Sequence, residues 1–319
     1  MTHGIAIKVA GLAHRYGERV ALEGVDFEVA AGEVFAFLGP NGGGKTTLFR
    51  LLSTLMPVQA GSIRVLGHDL TSDLFEVRRQ IGVVFQAPSL DKKLTIDENI
   101  SQQAALYGIQ GRVLRQRREE VLSQLGLLDR RGDRVELLSG GLKRRADLAK
   151  SLIHHPRLLL LDEPSTGLDP GARGDLWQYL YRLREEKGLT IVLTSHLLDE
   201  ADRANRIAII DRGHLVASGP PGDLRSSIGG HCVTIETDCP AAVVEGLQAR
   251  LGVTASIVHG EVVVEGTHDA SWLPRILELF PTQVQSVKLG RPTLADVFLQ
   301  KTGHRFWQES VSPTSVKRA

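Results

Sequence analysis

One glycine-rich stretch decides the fold of this chain: Gly39-Pro40-Asn41-Gly42-Gly43-Gly44-Lys45-Thr46-Thr47. It follows the apolar run 33–38, which has the length and composition of a buried strand, and it precedes the run 48–55, whose pattern predicts a helix. A G-x-x-x-x-G-K-[ST] sequence between a strand and a helix is typical of a loop that binds nucleotide phosphates. The stretch therefore predicts a nucleoside-triphosphate site.

The residue types of this loop suit that chemistry. Glycines let successive backbone N–H groups approach the β-phosphate, because a Cβ atom would block the approach. The start of the helix adds unpaired N–H groups and a favourable dipole. Lys45 supplies a positive charge for the β- and γ-phosphates, and the Thr46 hydroxyl is a ligand for Mg²⁺. A glycine-rich turn without a ligand is the alternative, and the flanking strand and helix argue against it.

Composition bounds the class of protein. A chain of 319 residues is longer than one ordinary domain, so we expect about two domains. Lys and Arg number 38 against 37 Asp and Glu, which indicates no overall preference for nucleic acid or anionic lipid. No run approaches the ~18 apolar residues of a membrane span and the N-terminus lacks a signal pattern, so we expect a cytoplasmic chain. Cys232 and Cys239 are then expected to be reduced, with a disulfide or metal pair as the alternative.

Strand-like runs surround the glycine-rich stretch. The runs 5–9 and 25–29, with turn residues at Gly17-Glu18, predict an antiparallel β portion. Tyr16 lies in this turn region, where position alone indicates no more than half-buried packing. Further along, Thr95 followed by Glu98 predicts a capped helix start, and 112–129 predicts an amphipathic helix with a basic face.

A second glycine-containing helix start follows at Ser139-Gly140-Gly141, ahead of the helical run 146–153. Taken alone, this sequence indicates a capped turn with Ser139 as the N-cap. It shares small residues, exposed N–H groups and an outward helix dipole with the first site. We therefore predict a second anion-binding surface in the same chain.

Acidic residues and a histidine follow two buried strands. Asp162 and Glu163 end the leucine-rich run 158–161, and His196 follows the run 190–194. A core strand with a charged end is one interpretation, but a carboxylate at a strand end beside a phosphate loop is also where Mg²⁺ support is expected, which suits Asp162. Glu163 is one residue further and points elsewhere, so it is suited to orient or deprotonate a water. His196 is either structural or placed to reach a γ-phosphate.

Together these motifs resemble the ATP-binding subunits of ABC transporters, over roughly residues 5–225. Gln86 matches the family's Q-loop and Tyr16 its adenine-stacking aromatic residue. The resemblance implies an α/β fold: a P-loop NTPase core with an antiparallel β subdomain and a helical signature subdomain. The other matching elements, in the family's order and spacing, are the Lys45 loop, the signature 138–143, the strand end 158–163, the turn 165–169 and His196.

The resemblance also implies a mechanism that spacing alone does not. In the family, two such domains dimerise head to tail around two ATP molecules, each held by the phosphate loop of one copy and the signature of the other. The matching positions imply that Mg²⁺ is held, directly or through water, by Thr46, Gln86 and Asp162. The catalytic set is then Glu163 as base, His196 on the γ-phosphate, and Lys45. The turn that ends at Asp169 links the two sites. The ATP-binding residues implied are Tyr16, Gly39, Pro40, Asn41, Gly42, Gly43, Gly44, Lys45, Thr46, Thr47, Gln86, Ser139, Gly140, Gly141 and Asp169.

Two departures from the family pattern do not remove a donor or a charge, so we expect activity. Leu142 stands where Gln is common, with basic residues at 143–145, and Gly43 stands where Ala or Ser is frequent. With the segments 88–91 and 292–299, this version resembles a narrower group, the ABC-2-type exporters related to daunorubicin-resistance ATPases. The partners implied are a separate transmembrane permease and a second copy of the chain, with no nucleic acid, at the cytoplasmic face of the cell membrane.

The remaining chain alternates short strands and helices. We expect an ATP-binding domain over 1–225, a small α+β domain over 226–302 and a flexible tail over 303–319. The leading function is ATP-driven export of a drug, lipid or other hydrophobic cargo. A soluble ABC ATPase acting on nucleic acid or ribosomes is the alternative, but such proteins usually carry two cassettes, a long coiled coil or a strongly basic surface. Glu163 argues against a third function, a regulator that only senses nucleotide.

Overall fold

The computed structural model describes residues 4–228, 231–258, 260–268, 271–304 and 306. The chain divides into two compact units, Met1–Ser218 and Gly219–Ala319. The domain boundary predicted after residue 225 stays a prediction. Of the tail predicted over 303–319, the structure describes residues 303, 304 and 306, and Phe306 is buried with its ring 5.0 Å from that of Phe298. Residues 305 and 307–319 and the Cys232 side chain lie outside the described part of the chain.

A four-stranded antiparallel sheet is formed by two strands that come before the phosphate loop in the sequence and two that come after it. Its first two strands are joined by the predicted turn at Gly17-Glu18, so the antiparallel β portion is confirmed, with strands longer than predicted. The strands are β1 (Ile5–Tyr16), β2 (Arg19–Ala30), β4 (Ala60–Val65) and β5 (His68–Asp69). They lie in the order β2-β1-β4-β5.

A six-stranded sheet carries the phosphate loop. Its strands are β3 (Val34–Leu38), β6 (Ile81–Val84), β7 (Leu158–Asp162), β8 (Thr190–Ser195), β9 (Arg206–Asp211) and β10 (His214–Gly219). They lie in the order β10-β9-β3-β8-β7-β6. The strand before the loop, β3, is buried at every position and pairs in parallel with β8 and β9, while β7 lies parallel between β6 and β8. The carboxyl ends of these parallel strands therefore meet at one edge, where ligands of α/β folds bind.

Helices of the first unit begin at the predicted caps. Thr95 and Glu98 form the predicted capping box. The Ser139 hydroxyl accepts from the Leu142 N–H, so its helix begins at Gly140, earlier than predicted. The first helix ends before the predicted Leu55, because the backbone turns left-handed at Thr54 (φ 61°). The helices are α1 (Lys45–Leu52), α2 (Leu74–Gln80), α3 (Ile96–Leu106), α4 (Gly111–Gln124), α5 (Gly140–Leu152), α6 (Pro170–Lys187) and α7 (Leu198–Ala201).

The second unit is the predicted small α+β structure. Its elements are α8 (Pro221–Ser227), β11 (His231–Thr237), α9 (Pro240–Leu251), β12 (Ala255–Val258), β13 (Glu261–His268), α10 (Trp272–Leu279), β14 (Val284–Gly290) and α11 (Leu294–Thr302). The four strands form an antiparallel sheet in the order β12-β13-β11-β14, and with the helices α9 and α10 they make the split βαβ arrangement. Val233, Val262 and Ile276 belong to the core of this unit.

Candidate functional site

The glycine-rich loop connects β3 to α1 at the carboxyl edge of the six-stranded sheet. At Gly39 a Cβ atom would lie 2.2 Å from the Ile210 carbonyl oxygen, which leaves no room for a side chain. At Gly44 the backbone has φ 116°, and a Cβ would lie 2.9 Å from the Ala21 carbonyl oxygen. The loop is thus fixed tightly against its neighbours, with its N–H groups at a helix start where an anion is stabilised.

Lys45 is the first residue of α1, and its side chain folds over the loop. Its Nζ donates to the carbonyl oxygens of Gly39 at 2.7 Å and Pro40 at 3.0 Å. Burial lowers the pKa of Lys45, while the nearby carboxylates of Glu163 and Asp162 act in the opposite direction. The lysine charge is therefore held between the loop and two acidic groups, where bound phosphates would replace the carbonyls as partners.

Asp162 and Glu163 lie at the end of β7, as the sequence predicts. The Thr194 hydroxyl on β8 donates to Asp162 Oδ1 at 2.6 Å and accepts from the Glu163 N–H at 3.0 Å. Burial raises the pKa of Asp162, and the hydrogen bond from Thr194 opposes that rise. A nearby cation would favour the charged carboxylate, so this acid is suited to support one.

The Glu163 carboxylate is the meeting point of three segments. Gln86 Nε2 donates to its Oε2 at 3.0 Å, and the Thr166 hydroxyl donates to the same oxygen at 3.3 Å. His196 Nδ1 lies 3.1 Å from it. Glu163 itself has φ 42°, a left-handed conformation that is uncommon outside glycine and is found where function holds the backbone in place. The structure thus brings Gln86, Glu163 and His196 together.

A cavity of about 230 Å³ lies over the loop. Tyr16 lines it and is 44% exposed as a residue, so its aromatic side chain is accessible beside the phosphate loop. Arg19 and Arg50 also line it, and sequence reasoning missed both, although Arg19 directly follows the Tyr16 turn and Arg50 lies one turn into α1. The cavity is lined by Tyr16, Arg19, Ala21, Asn41, Gly42, Gly44, Lys45, Thr46, Thr47, Arg50 and Glu163.

The signature residues line a different cavity, of about 320 Å³. Ser139 caps α5 there, and the Asp169 side chain caps α6 by accepting from the Ala172 N–H at 2.9 Å. A Cβ on Gly141 would lie 3.0 Å from Ala172 Cβ, so a glycine lets the two helix starts approach. Ser139 and Asp169 therefore line the same cavity, and this cavity is separate from the one that Lys45 lines.

One basic residue of the signature helix contacts the Q-loop. Arg144 is 3% exposed and donates to the carbonyl oxygens of Phe85 at 2.6 Å and Gln86 at 2.8 Å. Its role was not predicted, because the sequence gives no sign of which loop packs on α5. Arg144 connects the helix that begins at Ser139 to the segment that carries Gln86.

A family model described as "ABC transporter" matches residues 22–166. The daunorubicin/doxorubicin resistance ATP-binding protein DrrA of Streptomyces peucetius is 39% identical over 94% of this chain and 93% of its own length. The chain belongs to the ABC transporter ATP-binding proteins. The linearmycin resistance ATP-binding protein LnrL of Bacillus subtilis (strain 168) is 31% identical over 93% of this chain and 98% of its length. The structure of cbiO1 from Clostridium perfringens, part of an ABC transporter complex, superimposes with a TM-score of 0.66 at 26% identity, covering 78% of this chain and 96% of that one.

As an ABC transporter ATP-binding protein, the chain binds ATP, hydrolyses it and serves as the ATPase subunit of an exporter with a membrane permease partner. The predicted family, fold and enzyme class are confirmed. Within the described part of the chain, no helix is long and apolar enough to cross a membrane.

Proposed function

We propose that two copies of this chain close around two ATP molecules and drive export of a drug, lipid or other hydrophobic cargo through a separate ABC-2-type membrane subunit. The relatives named for daunorubicin and linearmycin resistance support the class of cargo. The subunit would lie at the cytoplasmic face of the cell membrane, held there by the permease. The observation that carries the proposal is the separation of the site into two cavities.

In this proposal, each of the two cavities provides one half of a complete nucleotide site. The first contains the Lys45 loop and Glu163, which suit phosphate binding and hydrolysis. The second contains Ser139 and Asp169 at the open starts of α5 and α6, where helix dipoles favour an anion. A head-to-tail homodimer would place the second half over the first, so that ATP joins the two chains.

Mg²⁺ fits the donor set beside the loop. Thr46 offers a hydroxyl, Asp162 a carboxylate and Gln86 an amide oxygen, and Mg²⁺ prefers such hard oxygen ligands. Burial raises the pKa of Asp162, the positive charges of Lys45 and Arg50 act in the opposite direction, and a bound cation would favour the charged carboxylate further. When bound, the ion would neutralise charge on the phosphates.

Glu163 and His196 would act on the attacking water and on the γ-phosphate, respectively. The Glu163 carboxylate, already in contact with Gln86, would orient a water molecule and accept its proton. His196, 3.1 Å from the same carboxylate, would hold a γ-phosphate oxygen in place. Lys45 would place its charge on the β- and γ-phosphates once ATP replaces the Gly39 and Pro40 carbonyls as its partners.

The membrane subunit would dock on the surface around residues 86–100. A cavity of about 410 Å³ opens there, lined by Phe85, Ser89 and Tyr107 among others. Leu55 also lines this cavity and is 57% exposed, so an apolar side chain is available to a partner at this place. Arg144 ties this region to the signature helix, which would transmit closure of the dimer.

Purification in mild detergent tests the proposal. The wild-type chain should retain a multi-span membrane protein, and Leu55→Glu should release it, because a charge would enter an apolar interface. Val113→Glu, at a residue 51% exposed on α4, is the matched control and should retain it. Retention of ribosomes or DNA instead of a membrane protein would contradict export.

A further inference from the structure

A buried carboxylate has no part in the chemistry described above. Glu200 lies in the short helix α7, and its side chain is 2% exposed. Burial of a carboxylate is costly unless the group is paired and hydrogen-bonded. Well-packed apolar residues in such places are often as stable or more stable, so stability alone gives no reason for a carboxylate here.

Side chains from three segments contact Glu200. The Ser165 hydroxyl donates a hydrogen bond to its Oε1. The Ser195 hydroxyl donates to the other oxygen, Oε2, at 2.7 Å. Arg173 Nε lies 3.8 Å from Oε1 and supplies the opposite charge. Because each carboxylate oxygen has its own serine, Glu200 joins the two hydroxyls through one rigid group.

Each serine lies at the start of a segment that is proposed to contact ATP: the segment of His196 and the turn 165–169. Ser195 ends β8 directly before His196, and its hydroxyl also accepts from the Leu197 N–H at 2.9 Å. Ser165 begins the turn 165–169, and its carbonyl accepts from the Leu168 N–H at 3.0 Å. Both serines are 1% exposed, so water does not compete for these bonds. The segment of His196 and the turn that ends at Asp169 therefore share one buried anchor.

We propose that Glu200 is a positioning residue that couples His196 to the turn 165–169. The proposal rests on the proposed function, in which the turn of one copy faces the nucleotide of the other. Movement of His196 on loss of the γ-phosphate passes through Ser195 and the Glu200 carboxylate to Ser165. Each chain thus contains a hydrogen-bonded connection between its own ATP site and that of its partner, which makes the two sites respond to each other.

Hydrogen exchange on the nucleotide-free chain tests the connection without dimerisation or activity. A glutamine at position 200 has one acceptor oxygen and an amino group in place of two acceptors, so it cannot serve both hydroxyls as the carboxylate does. Glu200→Gln should accelerate amide exchange in the turn 165–169 about tenfold. Ser195→Ala should do the same, although position 195 lies on the other side of the carboxylate. Asp199→Asn, an exposed acid on the same helix, is the control and should leave the turn unchanged.

Ser195→Ala decides the outcome, because it removes one hydroxyl and remains informative if Glu200→Gln does not fold. Turn exchange that stays at the wild-type rate in Ser195→Ala would overturn the proposal.

Kinetics give a second measure. Glu200→Gln should lower kcat for ATP hydrolysis about tenfold, change KM less than about twofold and bring the Hill coefficient for ATP towards one. A merely structural residue would lower thermal stability while kcat and the Hill coefficient stay like those of Asp199→Asn, and that result would refute the coupling. The dimer itself is tested separately by Glu163→Gln, so a failure of dimerisation refutes the proposed function, while turn exchange still decides on Glu200.

Discussion

Gln86 Nε2 donates to Glu163 Oε2 at 3.0 Å, so the loop after β6 directly contacts the carboxylate expected to act as base. The carbonyl oxygen of the same Gln86 accepts from Arg144 at 2.8 Å. Two hydrogen bonds therefore lead from the helix that starts at Ser139 to Glu163, the proposed base. A displacement of α5 by a partner nucleotide would change the position of Gln86 relative to Glu163.

Arg144→Lys should weaken this connection. A guanidinium reaches the Phe85 and Gln86 carbonyls together, whereas a single ammonium does not span them in the same geometry. We expect a loss of about 1–3 kcal/mol in the free energy of unfolding and a fall in kcat of about tenfold. Urea denaturation and steady-state ATPase assays measure both. Arg115→Lys, at an exposed position of α4, is the matched control, and equal behaviour of the two variants would count against a role for Arg144.

Glu163→Gln should bind ATP and remain dimeric. The amide keeps the shape and the contact region of the carboxylate but cannot accept a proton from water, so we expect hydrolysis to fall at least about 100-fold. Light scattering after size exclusion, with ATP and Mg²⁺, should show a stable dimer, because hydrolysis is what reopens it. Glu119→Gln, on the exposed face of α4, should dimerise only transiently. A Glu163→Gln chain that stays monomeric would contradict the ATP sandwich.

Mixing two inactive chains tests whether Ser139 acts on the partner's nucleotide. A Lys45→Ala chain has an intact signature, and a Ser139→Arg chain has an intact phosphate loop, so a mixed dimer has one complete site. An equal mixture should reach at most about a quarter of the wild-type ATPase rate, since half of the dimers are mixed, each has one of two sites, and coupling between the sites would lower the rate further. Ser123→Arg, exposed on α4, controls for the added charge and should stay active. Full activity of Ser139→Arg alone would exclude the role in trans.

Thr194→Val should displace the Asp162 and Glu163 carboxylates without changing the shape of the core. Thr194 is 2% exposed and serves both Asp162 Oδ1 and the Glu163 N–H. Valine would leave that buried N–H without its partner, at a cost of about 1–3 kcal/mol in the free energy of unfolding, with kcat lower by about tenfold or more. Thr194→Ser keeps the hydroxyl and should recover most of the activity. If serine and valine behave alike in unfolding and ATPase assays, the hydroxyl is not what positions the pair.

The sequence predicts those parts of the site whose pattern is local. The loop at Lys45, the cap at Ser139 and the acids at the end of β7 are each recognised within a short run of residues. Thr194 was missed because its role depends on the parallel register that places it opposite Asp162. Arg144 and Glu200 were missed for the same reason, since their partners lie on segments that only the packed fold brings near. The strand order of the second unit is likewise set by pairing between distant strands, which alternation alone does not reveal.

His154 should make the first unit lose stability in mild acid. Its Nε2 lies 2.9 Å from the Ile81 carbonyl oxygen and its ring stacks on Tyr107 at 4.0 Å. Burial lowers the pKa of His154 from 6.5 to about 4. The unfolded chain therefore takes up this proton first, so the contribution to stability is complete above pH 6.5 and is lost as the pH falls towards 4.

Urea denaturation at two pH values measures this contribution. Between pH 7.5 and pH 5 the wild type should lose about 2 kcal/mol more unfolding free energy than His154→Gln, which does not titrate in this range. His214→Gln, at a side chain 55% exposed, is the control and should show the wild-type pH dependence. The difference between His154→Gln and the wild type reports the imidazole at position 154 together with its electrostatic interaction with His155, which also lowers the pKa of His154. A pH dependence that is the same in His154→Gln and wild type would show that this imidazole is protonated as easily in the folded chain as in the unfolded one.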